Sequence, residues 1–442
     1  MSFTSLSFMA CMAVVSLLNY FMKGNVRKIL FAVVNILFYL SFGISNCYYL
    51  FILTVVIYLI SKFVPYKHLG SFIALGGLIF FKYLGWLNFS WSSMVAPLGI
   101  SFFSFKMIAY SEDIAKGKYE VPSFLDYFVY ITFFAQMISG PIEQFSHFNE
   151  SLQDDHTLSY EELKNGLFRF LLGAFEKVVI ADRLSLIVNP IFNNYTEYHG
   201  FTFIFGIVLY TFELYADFDG YSNMAIGLGE MVGIRAKENF RQPYLSHNPV
   251  ELWDRWHISL SSFFKQYVYI PLGGNRKGKA RQYFNVMVVF VLSGLWHGST
   301  IGYILWGFLC GATQLLYREL FKDKKGNILL NYMLICWLWS FFRVQDLSEL
   351  GYIYHSVLFE MNQGFSLGAF GLGKSEVLVS LVFIVLLIGI DILRAKGYGV
   401  KDYAKLPFVV RWVGYVALVW MFILFGIYGR NFDAADFIYT QL

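Results

Sequence analysis

The sequence predicts an all-α polytopic membrane protein with roughly eleven transmembrane helices, and three observations lead to this prediction. Of the 442 residues, 57% are hydrophobic and only 14% are charged, whereas soluble domains carry about 25% charged residues. Apolar runs close to the roughly 20 residues that span a bilayer recur along the chain. Aromatic residues make up 20% of the chain, which suits the aromatic belts of membrane proteins.

Thirteen apolar runs are the candidates for these helices. They cover residues 4–22, 27–44, 48–61, 69–84, 97–111, 125–140, 166–190, 200–215, 283–300, 301–320, 328–343, 376–394 and 408–428. Some are too short or too long for one crossing. We therefore expect broken, tilted or re-entrant segments among them and about eleven spans, give or take two. The first run has no basic residue before it and no A-x-A site after it, so we expect an uncleaved first span.

Basic residues alternate between successive loops. They occur in the first, third and fifth loops and are absent from the second and fourth, at Lys23, Arg27, Lys28, Lys62, Lys67, Lys116 and Lys118. Because basic loops stay in the cytoplasm, this alternation predicts an N-terminus outside the cell. The densest basic cluster, Arg276 to Arg281, is expected in the cytoplasm as well.

Several classes of function are disfavoured by composition and motifs. The net charge of +4 is small, which indicates loop bias and no nucleic-acid partner. The four cysteines form no CxxC, so neither a zinc site nor a disulfide framework is expected. Residues 273–279 fit a phosphate-binding loop, but Ala280 follows where Ser or Thr is needed, which favours a tight basic turn. Asp217 and Asp219 form a D-x-D pair, for which a metal role is the weaker alternative.

The segment from Pro249 to Pro271 carries a polar stripe. At 100° per residue, one helix face would hold Asp254, His257, Ser261 and Lys265, and the opposite face Trp256, Leu260, Phe263 and Tyr267. Two interpretations are open. The helix lies at the membrane interface with its polar face in water, or it lines a wet cavity inside the bundle.

His297 stands at the end of an apolar run, Val286 to Trp296, that contains only one polar residue, Ser293. Ionisable groups inside a membrane are costly and by default are candidates for function. Gly294 and Gly298 would allow a backbone or a ligand to come close. In a helix that begins after Arg281, His297 would lie about 24 Å along the axis, towards the outer face. The alternative is a histidine that is hydrogen-bonded to a neighbouring helix.

Three motifs in this region, "RWHISLS" (255–261), "YIPLGGNRKG" (269–278) and "LWHG" (295–298), resemble the signature of the membrane-bound O-acyltransferase family. The similarity is to its bacterial branch of alginate and peptidoglycan O-acetyltransferases. Further matching segments are "APLGISFFSF", "SGPIEQFSHF", "EKVVIADRL", "DFDGYSNMAIGLGEMVGI" and "NFRQPYLS". The resemblance covers about residues 96–311. It implies one membrane domain over residues 1–442, with flanking helices in 1–95 and 312–442 and a bundle of transmembrane, re-entrant and amphipathic helices around a central cavity.

The resemblance also implies site residues. The catalytic histidine of the family falls on His297 and the second family histidine falls on His257. Candidate substrate-binding residues are Asp254, Arg255, Trp256, Ser261 and Trp296. Three positions depart from the usual pattern, with Asp219 in place of Ser, Asn223 in place of Asp and Asp254 in place of Arg. These departures make close copying of a relative's substrate specificity doubtful.

The expected chemistry is the acylation of a hydroxyl group. His297 would act as the general base, which an imidazole near neutrality suits, and His257 would orient, bind or relay a proton. The expected donor is cytoplasmic acetyl-CoA or another acyl thioester, with no bound cofactor or metal. The acceptor hydroxyl would lie outside, on a polysaccharide or an SGNH-type partner protein. D-alanyl transfer to teichoic acid and a proton-coupled transporter remain as alternatives.

Overall fold

The computed structural model describes residues 3–83, 96–138, 140–155, 158–322, 324–364, 372–403 and 405–427. Within these ranges the chain is helical and no strand is assigned. The helices are α1 Leu6–Phe21, α2 Gly24–Leu40, α3 Ile44–Phe63, α4 Leu69–Tyr83, α5 Ile100–Ala115, α6 Phe124–Thr132, α7 Phe145–Gln153, α8 Tyr160–Ala174, α9 Asp182–Asn193, α10 Phe201–Met231, α11 Pro249–Arg255, α12 Ile258–Phe264, α13 Lys279–His297, α14 Ile301–Phe321, α15 Ile328–Arg343, α16 Leu347–Phe359, α17 Lys374–Ala395, α18 Val400–Tyr403 and α19 Phe408–Phe425.

The predicted all-α class agrees with this architecture, whereas the count of spans is not established. Among the described residues, four helices are long and apolar enough to cross a membrane: α3, α10, α17 and α19. Shorter apolar helices cover Ser7–Phe21, Leu69–Tyr83 and Ile328–Arg343. The predicted run 125–140 is broken after the nine residues of α6. The run 166–190 is interrupted by a π-helical turn, Phe175–Ala181. The last residues of the runs 69–84 and 408–428 lie outside the described residues.

The chain forms two compact units. The first contains Met1–Leu171 and Tyr221–Glu238, and the second contains Leu172–Gly220 and Asn239–Leu442. Both candidate histidines belong to the second unit. The single domain that the resemblance implies stays a prediction.

In the first unit, the buried side chain of Arg27 joins three segments of the chain. Its guanidinium donates hydrogen bonds to the Asn19 side chain and to the carbonyl oxygens of Asp154 and Val232. Further along, Ser159 and Glu162 form a capping box at the start of α8. Each side chain accepts a hydrogen bond from the backbone N–H of the other residue. This confirms a helix start that the sequence pattern indicates.

In the second unit, α13 and α14 pack closely because glycines face each other. A Cβ atom on Gly294 would lie 2.2 Å from the Tyr303 carbonyl oxygen, and one on Gly307 would lie 2.3 Å from the Phe290 carbonyl oxygen. Any larger residue would separate the helices. The predicted close approach of a backbone at Gly294 is therefore present, and that backbone belongs to α14.

Ion pairs hold the D-x-D segment of α10. Lys177 Nζ lies 2.7 Å from Asp217 Oδ1, and Arg394 lies 3.0 Å from Asp219 Oδ2. Within the described residues, no group of three or more His, Cys, Asp or Glu side chains is arranged to hold a metal ion. Both aspartates are thus engaged in ion pairs within the unit, and Phe218, which lies between them in sequence, is buried.

Candidate active site

The prediction of a continuous helix from Pro249 to Pro271 is wrong, because the helix breaks at His257. Helix α11 ends at Arg255, Trp256 is extended, and α12 begins at Ile258. His257 has φ 44° and ψ 54°, a left-handed conformation that is uncommon outside glycine. A non-glycine residue in this region marks a constrained position.

The break is explained by hydrogen bonds to the segment that contains Asn239 and Arg241. The Asn239 carbonyl oxygen accepts the Ile258 N–H, and the Asn239 side chain accepts the N–H and the hydroxyl of Ser259. In addition, the Arg241 N–H donates to the Arg255 carbonyl. These bonds replace the i→i−4 pattern of a helix, so the chain turns at His257 without leaving these backbone groups unsatisfied.

The predicted polar stripe nevertheless lines one cavity. Asp254, His257, Ser261 and Lys265 all face a cavity of about 250 Å³ in the second unit. Trp256 and Leu260, predicted for the opposite face, line it as well. Of the two interpretations of this segment, the one in which it lines a cavity fits the geometry better than the one in which its polar face lies in bulk water.

The cavity extends along the hairpin of α13 and α14. Its lining residues on α13 lie between Val286 and His297, a stretch of about 16 Å of helix. On α14 they run from Trp306 to Arg318. The two histidines, each 2% exposed, lie at the buried end. Asp254 and Lys265 are exposed, so the charged side chains lie at the open end.

Aromatic rings surround both histidines. The His297 ring centroid lies 4.8 Å from Trp296, 5.1 Å from Trp306 and 5.1 Å from Phe342. The His257 ring lies 4.5 Å from Phe218 and 5.8 Å from Trp296. Trp296 therefore contacts both imidazoles. Such apolar surroundings make a buried positive charge costly, and they hold the two rings in defined orientations.

The structure brings together most, but not all, of the predicted site residues. Asp254, Trp256, His257, Ser261 and His297 line the cavity. Trp296 is absent from its wall and packs behind the histidines. Arg255 is also absent, because its guanidinium pairs with Glu251 at 2.5 Å and donates to the Gln242 carbonyl.

Several lining residues were missed by the sequence interpretation. They are Trp253, Phe264, Tyr269, Ser293, Trp306, Gln314 and Arg318. Gln314 and Arg318 lie one turn apart on a mainly apolar helix. The reasoning that singled out His297, a polar group within a membrane run, would have found them too. No local signal marks Trp306, which is one aromatic residue among many.

Comparisons with known proteins identify the family of this chain. The model of MBOAT, the membrane-bound O-acyltransferase family, matches residues 50–345. A probable alginate O-acetylase, AlgI, of Pseudomonas syringae is 36% identical over 281 residues, which are 61% of this chain and 53% of that protein. A peptidoglycan O-acetyltransferase of Helicobacter pylori is 33% identical over 61% of this chain and 60% of its own.

A teichoic acid D-alanyltransferase of Streptococcus thermophilus is a further relative, 28% identical over 60% of this chain and 66% of its own. The chain spans about half the length of the alginate O-acetylases that it matches. The family match covers more than half of the chain and includes both cavity histidines. The chain belongs to the membrane-bound O-acyltransferase family.

Proposed function

We propose that this protein transfers an acetyl group from a cytoplasmic thioester donor to a hydroxyl group outside the membrane. The observation that carries the proposal is the pair of buried imidazoles, His257 and His297, on the wall of one cavity. Elements separated by about forty residues in the sequence supply these two side chains. Two relatives with the word O-acetylase or O-acetyltransferase in their names support the acetyl group.

His297 is the proposed general base. Its imidazole accepts the proton of the acceptor hydroxyl as that oxygen attacks the thioester carbonyl carbon. A carbon–oxygen bond forms, the carbon–sulfur bond breaks, and the thiolate leaves and takes up a proton. Water is largely excluded at the buried end of the cavity, which strengthens the dipoles that stabilise the oxyanion. His257 orients the acceptor or relays the proton.

The donor that suits the cavity is acetyl-CoA. The cavity is lined by two cations, Lys265 and Arg318, against one carboxylate, Asp254. An anionic carrier is attracted by that balance of charge. The elongated cavity behind these residues would admit a thin arm that ends in the acetyl thioester. No other cofactor enters the proposal.

The proposed acceptor is a polysaccharide of the cell envelope, reached directly or through an SGNH-type partner protein. The names of the relatives, alginate O-acetylase and peptidoglycan O-acetyltransferase, support a polysaccharide. D-alanyl transfer is the second candidate, and the teichoic acid D-alanyltransferase relative favours it. Its lower identity, 28% against 33% and 36%, places it behind acetyl transfer.

An isotope experiment tests the proposal. Membrane vesicles that contain the full chain are incubated with acetyl-CoA labelled in the acetyl group, and base-labile label is measured on polysaccharide. We expect ester-linked acetyl in wild-type vesicles and none in vesicles with His297→Gln. Labelled D-alanine in a parallel incubation tests the second candidate. Uptake of acetate label with no new ester would instead indicate a transporter and would overturn the proposal.

A further inference from the structure

A second cavity, of about 590 Å³, lies in the second unit apart from the one that contains the histidines. Its inner part is lined by Phe212 and Tyr215 of α10, Tyr332 of α15 and Leu387 of α17. Its outer rim contains Ile328, Leu329 and Ile388, which are 39%, 66% and 36% exposed. Helix α17 is one of the candidate spans, and α15 is one of the shorter apolar helices. The opening of this groove is therefore an exposed apolar surface between helices that are apolar enough for a membrane.

The lining changes from apolar to polar along the groove. Its polar residues lie where α15 begins and α17 approaches its end: His247, Asn327 and Asp391. One turn further into both helices, Tyr332 and Leu387 present rings and aliphatic carbon. Asp391 is engaged within the protein, because it accepts the Tyr215 hydroxyl at 3.0 Å and lies 3.8 Å from Arg394. This gradient matches an amphiphile with its polar group at the end of the helices.

Positive charge is concentrated at the polar end. Lys324 and Lys325 are exposed and directly precede Gly326 and Asn327, which line the groove. The Gly326 backbone packs on His247, since a Cβ atom at Gly326 would lie 2.1 Å from the His247 carbonyl oxygen. Both lysines are thus tied to the rim of the groove. Basic residues beside a pocket between membrane helices suit phospholipid head groups.

We propose that this groove binds an anionic phospholipid. One acyl chain lies between α15 and α17 against Phe212, Tyr332 and Leu387, and the phosphate lies against Lys324 and Lys325. The charge at the rim favours an anionic head group over a zwitterionic one, and the exposed apolar rim favours a molecule that enters from the bilayer. This groove is separate from the cavity that contains the histidines. Lipid binding can therefore be measured without an acyl transfer assay.

Native mass spectrometry of the delipidated full-length protein in detergent tests the proposal. Palmitoyl-oleoyl phosphatidylglycerol and the matching phosphatidylcholine are the two probes, and the dissociation constant of each is measured. We expect tighter binding of phosphatidylglycerol to the wild type. The double substitution Lys324→Ala and Lys325→Ala should weaken that binding about thirtyfold, because about 1 kcal/mol is expected for each lysine and about 1.4 kcal/mol is a factor of ten. It should leave phosphatidylcholine binding nearly unchanged.

Two further variants make the test specific. Lys23→Ala with Lys62→Ala removes the same charge from exposed positions in the first unit and should leave phosphatidylglycerol binding unchanged. Ile388→Trp replaces an aliphatic side chain at the partly exposed rim with a bulky indole ring and should weaken the binding of both lipids. The melting temperature of the variant serves as the check on folding. Equal affinity of the wild type for the two lipids would overturn the proposal. Retention of wild-type affinity by the double lysine variant or by Ile388→Trp would do the same.

Discussion

The His297 imidazole occupies the last residue of α13, where three aromatic rings contact it. Two of these rings, Trp306 and Phe342, come from helices later in the chain. A buried imidazole with so many ring contacts has little freedom to rotate. It can therefore present one nitrogen to the cavity in a fixed direction, which is what proton transfer to a positioned group requires.

His297→Ala should reduce acyl transfer by 10²–10⁴-fold, the range for loss of a general base. Purified enzyme and labelled acetyl-CoA measure the rate, and the melting temperature measures folding. The matched control is His355→Ala on α16, an exposed histidine outside the cavity. If purified His297→Ala retained more than about a tenth of the wild-type rate, the assignment of the base would be wrong.

His257→Ala should also lower transfer sharply, because its ring lies on the same cavity wall and contacts the same Trp296. Substitution of an ordinary solvated histidine would have only a small effect on the transfer rate. A test of its role compares the pH profiles of the wild type and the variant. A positioning role predicts a lower rate with an unchanged profile, and a proton relay predicts a shifted profile. A rate within about twofold of the wild type would remove His257 from the mechanism.

At the scale of elements, the joint between α11 and α12 shapes the cavity. The left-handed residue His257 turns the chain, and α12 then passes the cavity with Ser261 on its wall. The neighbouring Ser262 is exposed and is not part of the wall. This pair of serines allows a steric test in which only the direction of the side chain differs.

Ser261→Trp should block acyl transfer, because the added ring fills space in a cavity of about 250 Å³. Ser262→Trp should leave the rate near that of the wild type, since that side chain points away from the cavity. Both proteins are compared in the same transfer assay after their melting temperatures are matched. Equal loss of activity in the two variants would indicate a general disturbance of α12. It would contradict the assignment of Ser261 to the wall of the cavity.

A short helix of the first unit offers a prediction about pH. His147 of α7 lies 2.8 Å from the buried carboxylate of Glu143, and this hydrogen bond raises the pKa of His147. The extra stability is therefore fully present below the pKa of an unfolded histidine, about 6.5. It is lost as the pH rises through the higher pKa of the folded state.

His147→Gln should lower the melting temperature more at pH 5.5 than at pH 8.5. The control is His355→Gln, which replaces an exposed histidine. Thermal unfolding in detergent at the two pH values gives the comparison. A decrease for His147→Gln that does not depend on pH would contradict the stabilising role of the protonated imidazole.

At the scale of the whole molecule, the orientation in the membrane follows from the distribution of basic residues between loops. The positive-inside rule predicts that Lys23, Lys67, Lys116 and Lys277 all face the cytoplasm. The last of these belongs to the turn that precedes α13. The side of the membrane on which Lys277 lies therefore decides from which face a donor would approach the cavity.

Cysteine labelling in intact cells measures this orientation. Single cysteines at Lys23, Lys67, Lys116 and Lys277 are introduced into a protein that lacks Cys11, Cys47, Cys310 and Cys336. They should resist an impermeant thiol reagent. Ser45→Cys, at the exposed first turn of α3 and next to a connection without basic residues, should react and serves as the positive control. Strong labelling at position 277 would move the donor side to the outside and contradict the proposed direction of transfer.

The sequence by itself determined the class of this protein and several local features. Composition and apolar runs predict helices in a membrane, because the hydrocarbon core accepts only segments that satisfy their own backbone hydrogen bonds. The start of α8 follows from Ser159 and Glu162, which are neighbours in sequence. His297 could be singled out because one ionisable residue in an apolar run is conspicuous without any knowledge of the fold.

Only the tertiary structure decided how the site is assembled. The break at His257 depends on Asn239, eighteen residues earlier, whose hydrogen bonds outweigh the helical pattern of the segment. The cavity depends on the glycine contact between α13 and α14 and on rings from α10 and α15 that surround the histidines. Arg255 is removed from the cavity by its pairing with Glu251. The physical reason is common to all three. Helical periodicity describes which residues share a face, but contacts between distant segments decide where a helix ends and what each face meets.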